Sequence, residues 1–270
     1  ADIEDWHWAC QLQQAQAIRF GVEHMRSLEP ANAGSLIWQL NDDWPVVSWA
    51  AVDYDGHRKP LWYASRDFFA PRLATIQPRV SDKAREDLSW EGNPVAPDHL
   101  ELIVLNDTLA PWAGTWTVRR MTLAGETLAS TSFDVTLDTV GHIGLPLPAD
   151  VSMFGDATNE LIVATPSDDA FARVIYNGTD VIDQKLEPTP FKASAEPADD
   201  GYALTVMATG YVRDLFCMVD KVDSAASIDG GLATLLPGES VTWHIASNAT
   251  VDPQAFVAAN VLRCANDLKR

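Results

Sequence analysis

The residues best suited to chemistry lie in one short run, Ile37-Trp38-Gln39-Leu40-Asn41-Asp42-Asp43-Trp44-Pro45. Two indoles share it with two amides and two carboxylates. A sugar ring needs that combination: its C–H face packs on an aromatic side chain while amides and carboxylates bind its hydroxyls. Trp38 is the candidate aromatic wall, Asn41 and Asp42 are candidates for hydroxyl contacts or for orienting their neighbours, and Trp44 is the candidate rim. A competing reading is open at this stage. Trp38 and Trp44 would be packing residues, as most aromatics are, and Asn41 and Asp42 would shape a turn through local hydrogen bonds.

Other constellations carry less. His7, His24, His57, His99, His142 and His244 are scattered without metal-ligand spacing, and Cys10, Cys217 and Cys264 are far apart. Asp53, Asp55 and Gly56 resemble a calcium loop only loosely, and a turn is the expectation. No glycine-rich phosphate loop and no Ser/His/Asp ordering is present. No cofactor or metal is expected.

The elements that must position the run can be read from periodicity. From Trp6 to Leu28 apolar residues fall at Ala9, Leu12, Ala15, Ile18, Val22, Met25 and Leu28, steps of three and four that predict an amphipathic helix. Asp2 or Asp5 caps its start and Pro30 stops it. Ser35 to Leu40 is a nearly continuous apolar stretch of strand length, which predicts a strand buried on both faces. A second apolar segment, Val46 to Val52, ends at the turn Asp53-Tyr54-Asp55-Gly56, and Lys59 to Phe69 predicts a second helix closed by Pro71. Ligand-binding residues at the carboxy-terminal end of a strand are what a β/α barrel presents.

From about Leu73 the period changes to two. Strands are predicted at Leu100–Asn106, Gly114–Leu123, Thr127–Leu137, Gly141–Leu147 and Asn159–Thr165, a spacing that suits a β-sandwich. Leu186 to Pro190 has the composition of a linker. A second set follows at Tyr202–Ala208, Leu215–Val219 and Ser240–Ala246, with Val257–Cys264 as a final strand.

Composition narrows the functional classes. The net charge of -19 disfavours nucleic acid and anionic membranes, whose phosphates it would repel. No apolar stretch approaches the roughly 18–20 residues of a membrane span. Three widely separated cysteines and a start without signal-peptide character predict a cytoplasmic protein. The Asn-x-Thr triplets at Asn106, Asn177 and Asn248 carry little weight without a secretion signal. The absence of an initiator Met leads us to expect a chain that begins inside a longer gene product.

Trp38-Gln39-Leu40-Asn41-Asp42, one residue, then Trp44-Pro45-Val46 and Ser48-Trp49-Ala50 resembles the end of the catalytic barrel in β-mannosidases of glycoside hydrolase family 2. Asp5-Trp6-His7-Trp8 and Gln14 through Arg26 are similar to that barrel's seventh helix, and Lys59-Pro60-Leu61-Trp62-Tyr63-Ala64 with Phe69-Ala70-Pro71 to its eighth. Leu204-Thr205-Val206, Val212-Arg213-Asp214-Leu215 and Leu235 through Ser240 are similar to the terminal immunoglobulin-like domain. The similarity is concentrated in residues 35–71, present in 200–245 and faint between 75 and 190. Asp43 stands where relatives often carry Cys.

The resemblance implies a mixed fold: the last helix, strand and helix of a (β/α)8 barrel in residues 1–72, then two immunoglobulin-like β-sandwiches in 73–187 and 188–270. It implies a retaining exo-glycosidase acting on terminal β-mannosyl residues. In that mechanism one carboxylic acid protonates the leaving oxygen and a second carboxylate, about 5–5.5 Å away, attacks the anomeric carbon. In the family both are glutamates, one after an Asn at the end of strand four and one in a Ser-Glu-Phe-Gly-like stretch after strand seven. Neither stretch is in this sequence. Glu4, Glu23 and Glu29 lie on or beside the first helix, and Asn159-Glu160 falls in a predicted sandwich strand. No catalytic residue is therefore assigned, and the chain alone is expected to be inactive.

The expected partners are a terminal β-mannoside and the remainder of the barrel. The alternative is a non-catalytic carbohydrate-binding or adhesion module made of the sandwiches. One strand and two helices cannot close a barrel, so residues 1–70 should expose a large apolar surface including Trp38, Trp44 and Trp49. That surface is expected to pack on the first sandwich, to pair in a homo-oligomer, or to mark a nicked larger protein.

Overall fold

The computed structural model describes residues 2–32, 34–81 and 96–269. The first helix, α1, spans Ile3–Arg26. The Asp2 carboxylate caps it by accepting the Asp5 N–H at 2.9 Å, and His24 and Arg26 sit in the last turn, where cations complement the exposed carbonyls. Its buried stripe is Trp8, Leu12, Ala15 and Val22. The predicted stripe holds at Leu12, Ala15 and Val22 but not at Met25 and Leu28, which are exposed. Helix α2 spans Pro60–Phe68 and starts on a proline, which pre-sets the helical φ.

Between the helices the structure departs from the sequence reading. Ser35 to Leu40 is not a strand, and Leu36 and Leu40 are exposed. Among the described residues the only ladder contacts around it are isolated bridges, Asn41 with Val52 and Val52 with Arg58. A strand buried on both faces needs neighbours that satisfy its backbone N–H and C=O groups. Among the described residues this chain offers it only the short return segment near Val52. The predicted barrel strand is thus corrected to an extended, bridged segment.

Two β units follow. The first contains β1 (Arg72–Arg79), β2 (His99–Asn106), β3 (Trp112–Thr122), β4 (Thr127–Leu137), β5 (Gly141–Pro146), the single-turn helix α3 (Ala149–Ser152), β6 (Glu160–Pro166) and β7 (Val174–Asn177). They form antiparallel sheets of order β1-β2-β5 and β4-β3-β6-β7. Ile76, Leu102 and Val104 of one sheet meet Trp116, Val118 and Ile162 of the other in a common core.

The second unit contains β8 (Phe191–Ala198), β9 (Gly201–Ala208), β10 (Val212–Cys217), β11 (Ser227–Ile228), β12 (Ala233–Leu235), β13 (Ser240–Ala246) and β14 (Leu262–Arg263). Its sheets have orders β11-β13-β9-β8 and β12-β10-β14. The predicted final strand over Val257–Cys264 shrinks to the two residues of β14, preceded by a 3-10 turn at Pro253–Val257.

The apolar stripe of α1 enters the second unit's core, not the first's. Trp8, Leu12, Leu61, Tyr63 and Phe68 belong to one cluster with Leu204, Leu215, Phe216 and Ile245. The Trp8 ring stacks on Phe216 at 6.4 Å, and Tyr63 meets the same ring edge-on at 5.4 Å. Contacts to the first unit include polar pairs: Arg26 pairs with Asp107 at 2.6 Å, and Thr75 donates to Glu23 at 2.7 Å. The expectation that the surface carrying Trp38, Trp44 and Trp49 packs on the first sandwich is corrected: those rings stay open, while α1 meets the first unit at Glu23 and Arg26.

The stretch Leu186 to Pro190 does not behave as a free linker. Leu186 is buried with Met121, Leu161, Tyr211 and Leu236 in a cluster joining the two units. The Pro190 carbonyl accepts from the backbone of Thr209 and Gly210.

Candidate sugar-binding loop

The run from Trp38 to Trp49 leaves α1 after Pro30 and returns just before α2, so both helices flank it. The Trp38–Gln39 peptide is cis. Three indoles point outward: Trp38 is 79 % exposed, Trp44 62 % and Trp49 61 %. The packing reading for Trp38 and Trp44 fails in this chain, since neither is core. Asn41 is exposed beside them, and its amide donates to the Asp42 carbonyl at 3.2 Å.

Asp42 is the exception. It is 7 % exposed, and its carboxylate faces into the loop. Oδ1 accepts from the Gln39 amide at 3.1 Å, and Oδ2 accepts from the Ser48 hydroxyl at 2.6 Å. Ser48 Oγ accepts in turn from the Ala50 N–H at 3.0 Å. The Asp42 N–H donates to the Val52 carbonyl, and Val52 N–H to the Leu40 carbonyl at 2.8 Å. One short carboxyl side chain therefore ties the outgoing limb to the returning one.

Two side chains brace the returning limb from outside. Gln14 on α1 donates to the Trp49 carbonyl at 2.6 Å, and Lys59 donates to the Ser48 carbonyl at 3.2 Å. Burial lowers the Lys59 pKa, opposed by the Asp42 and Asp53 carboxylates. Gln14, Ser48 and Lys59 fall in stretches that carry the resemblance, but the sequence assigns them no role at the site. Their bracing contacts depend on the path of the loop, which the sequence does not disclose.

Asp53, Asp55 and Gly56 form the expected turn: Gly56 takes a positive φ of 90°, and its N–H donates to the Asp53 carbonyl. Asp53 is engaged by His57, whose Nδ1 lies 2.9 Å from Asp53 Oδ2 and whose Nε2 lies 2.9 Å from the Ser224 carbonyl. Two acceptors for one imidazole require both ring nitrogens to donate, which the imidazolium does. Burial works against that charge, but the Ser224 carbonyl and Asp53 outweigh it and raise the His57 pKa. Among the described residues no group of His, Cys, Asp or Glu is placed to hold a metal ion.

Three of the glutamates that the sequence analysis set aside make pairs away from the loop. Glu4 is paired with Lys221, Glu23 with Arg19 and Thr75, and buried Glu160 with Arg120 at 2.6 Å. Cys217 and Cys264 are buried free thiols. Burial raises the pKa of Cys217 and pushes that of Cys264 up to about 12, so neither is a ready nucleophile.

No family model matches the sequence. β-Mannosidase A of Aspergillus terreus is 30 % identical over 132 residues, which cover 48 % of this chain and 13 % of that protein. β-Mannosidase B of Aspergillus flavus is 42 % identical over 99 residues, 36 % of this chain and 11 % of that protein. The matched stretch thus spans a small fraction of these relatives' length. In fold, the crystal structure of a β-D-mannosidase from Dictyoglomus thermophilum matches 97 % of this chain and 30 % of its own, with TM-score 0.73 and 20 % identity. An exo-chitosanase of Amycolatopsis orientalis matches 86 % of this chain and 30 % of its own, with TM-score 0.57 and 18 % identity. The resemblance to the carboxy-terminal portion of family 2 β-mannosidases is therefore met in sequence relatives and in fold alike.

Proposed function

We propose that this chain is the carboxy-terminal part of a retaining β-mannosidase-like glycoside hydrolase that releases terminal β-mannosyl residues from oligosaccharides. Residues 1–72 complete the catalytic barrel, and 73–187 and 188–270 are immunoglobulin-like domains that brace it. The chain supplies one wall of the sugar site. The acid and the nucleophile come from upstream sequence. The remainder of the barrel covers the apolar face left open here, and the free cysteines suit a cytoplasmic setting.

The observation that carries this reading is the outward set of Trp38, Trp44 and Trp49 on a braced loop, in a chain whose relatives are β-mannosidases. Flat apolar faces beside the Asn41 amide supply the two kinds of contact a sugar ring takes. Against a free-standing binding module stands the integration of the helices. Trp8, Leu12, Leu61 and Tyr63 are part of the second unit's core, which supports reading the first seventy residues as an integral element.

The test is kinetic. In the complete polypeptide, Trp38→Ala should raise KM for an aryl β-mannoside at least about tenfold, the loss expected when a pocket gives up a large apolar contact. An aryl β-galactoside and an aryl β-glucuronide should be poorer substrates than the mannoside. A wild-type polypeptide that prefers either of them refutes the mannosyl assignment.

A further inference from the structure

We propose that Asp42 and Ser48 are positioning residues that hold the Trp38–Trp44 wall in place and do not themselves touch sugar. The inference rests on the sugar site proposed above and assigns its inner architecture.

Indoles as exposed as these cannot be fixed by packing of their own rings. Their placement must come from the backbone that carries them, and that backbone has no regular structure between Leu40 and Ala51 beyond isolated bridges. Backbone bonds close the base of the excursion, from Ala51 N–H to the Gln39 carbonyl, Val52 N–H to the Leu40 carbonyl and Asp42 N–H to the Val52 carbonyl, and the Asp42–Ser48 pair ties the limbs beyond them. Oδ1 holds Gln39, the residue after Trp38, and Oδ2 holds Ser48, the residue before Trp49. Trp44 lies between the two tethered limbs. Lys59 and Gln14 then fix the carbonyls of Ser48 and Trp49 to the helical frame.

The carboxylate is also poorly placed to bind a hydroxyl. It is buried, and both oxygens already accept a hydrogen bond from within the loop. A hydrogen bond accepted by a charged group in a buried place is among the stronger ones. Removing the Ser48 donor leaves Asp42 partly unsatisfied and frees the returning limb. Pre-organisation of a wall in this way lowers the ordering cost that a ligand would otherwise meet.

The experiment reads the wall directly. The 270-residue chain is labelled with 5-fluorotryptophan, and the Trp38 and Trp44 fluorine resonances are assigned with Trp38→Phe and Trp44→Phe. Ser48→Ala and Asp42→Asn should shift or broaden both resonances while the core residues Trp116 and Trp243 keep theirs, which shows that the fold persists. Ser48→Thr retains the hydroxyl and should keep the wild-type lines. In the complete polypeptide, Ser48→Ala should raise KM for the aryl mannoside at least about fivefold, with Ser48→Thr restoring it to within about twofold.

Unmoved Trp38 and Trp44 lines in Ser48→Ala overturn the proposal. So does an Asp42→Asn variant that raises KM while Ser48→Ala leaves both KM and the resonances unchanged, because Asp42 would then be a direct ligand. A wild-type polypeptide that fails to hydrolyse β-mannosides refutes the functional reading alone. The fluorine spectra still decide whether the pair positions the wall.

Discussion

The Trp8 indole N–H donates to the backbone carbonyl of Cys264 at 2.9 Å, joining the first turns of α1 to the last strand across almost the entire chain. The bond is buried, and Arg263 beside it pairs with Asp5 at 2.7 Å and donates to the Glu4 carbonyl at 3.1 Å. The helical segment and the second β unit therefore share one core. Whatever disturbs that junction disturbs the frame from which the aromatic loop projects.

Trp8→Phe should test the junction. It keeps most of the ring's burial but leaves the Cys264 carbonyl without its donor, at a cost of about 1–3 kcal/mol. Trp8→Ala empties the site and should cost about 3–5 kcal/mol. Urea denaturation followed by circular dichroism measures both. A Trp8→Phe variant as stable as wild type would show that the hydrogen bond contributes nothing.

A second expectation concerns pH. The raised His57 pKa means that the imidazolium's contribution is fully present below about pH 6.5, its ordinary value, and is lost as pH rises through the higher folded value. For Asp53 burial alone would raise the pKa, but the hydrogen bonds from His57 hold it below the ordinary 3.8. Its contribution is present above that pH and fades as acid protonates it. The latch between the turn and Ser224 should be strongest from about pH 4 to 6.5. The pair is partly exposed, so its whole effect is at most about 1 kcal/mol after screening. The difference in unfolding free energy between wild type and His57→Gln should shrink between pH 6 and 8.5, and a difference constant over that range contradicts the assignment.

Gly201 makes the turn from β8 to β9 with φ of 147°, and a Cβ there would lie 2.0 Å from the Ile245 carbonyl oxygen. That oxygen belongs to the β13 backbone and cannot swing aside. Gly201→Ala should therefore destabilise by several times the about 1 kcal/mol that separates the two residues in unstrained places. Thermal denaturation checks this. The glycines at 21 and 34, which have open space around them, should accept alanine with far smaller losses.

How much of this was readable in the sequence depends on where each segment finds its partners. In β13, Val241, Trp243 and Ile245 alternate with polar residues, and β9 supplies the facing strand within the same chain. Such elements were legible because the pattern and the partner are both present. Ser35 to Leu40 differs for the converse reason: among the described residues no strand lies on either side of its apolar run, and only isolated bridges near Val52 pair with it. The strand β8 is not predicted because the inward side of its alternation, Ala193 and Ala195, is small and weakly apolar, although Lys192 and Glu196 face outward. At the site, the residue types of Trp38, Asn41, Asp42 and Trp44 suggested a sugar. The inward turn of Asp42 was not legible, because it depends on Ser48 six residues away across a loop of irregular path. The Asn106 triplet shows the same limit: its side chain is buried and donates to Ala110 and Asp138 carbonyls.

The central claim is that the chain carries a sugar-binding wall without the groups that cleave the bond. The most direct test is hydrolysis of a chromogenic β-mannoside by the 270-residue chain alone and by the complete polypeptide under the same conditions. We predict turnover by the complete polypeptide, lost when an upstream carboxylate is removed, and no turnover above the uncatalysed rate by the chain alone. Hydrolysis by the isolated chain, abolished by substitution of one of its own glutamates, would contradict the account.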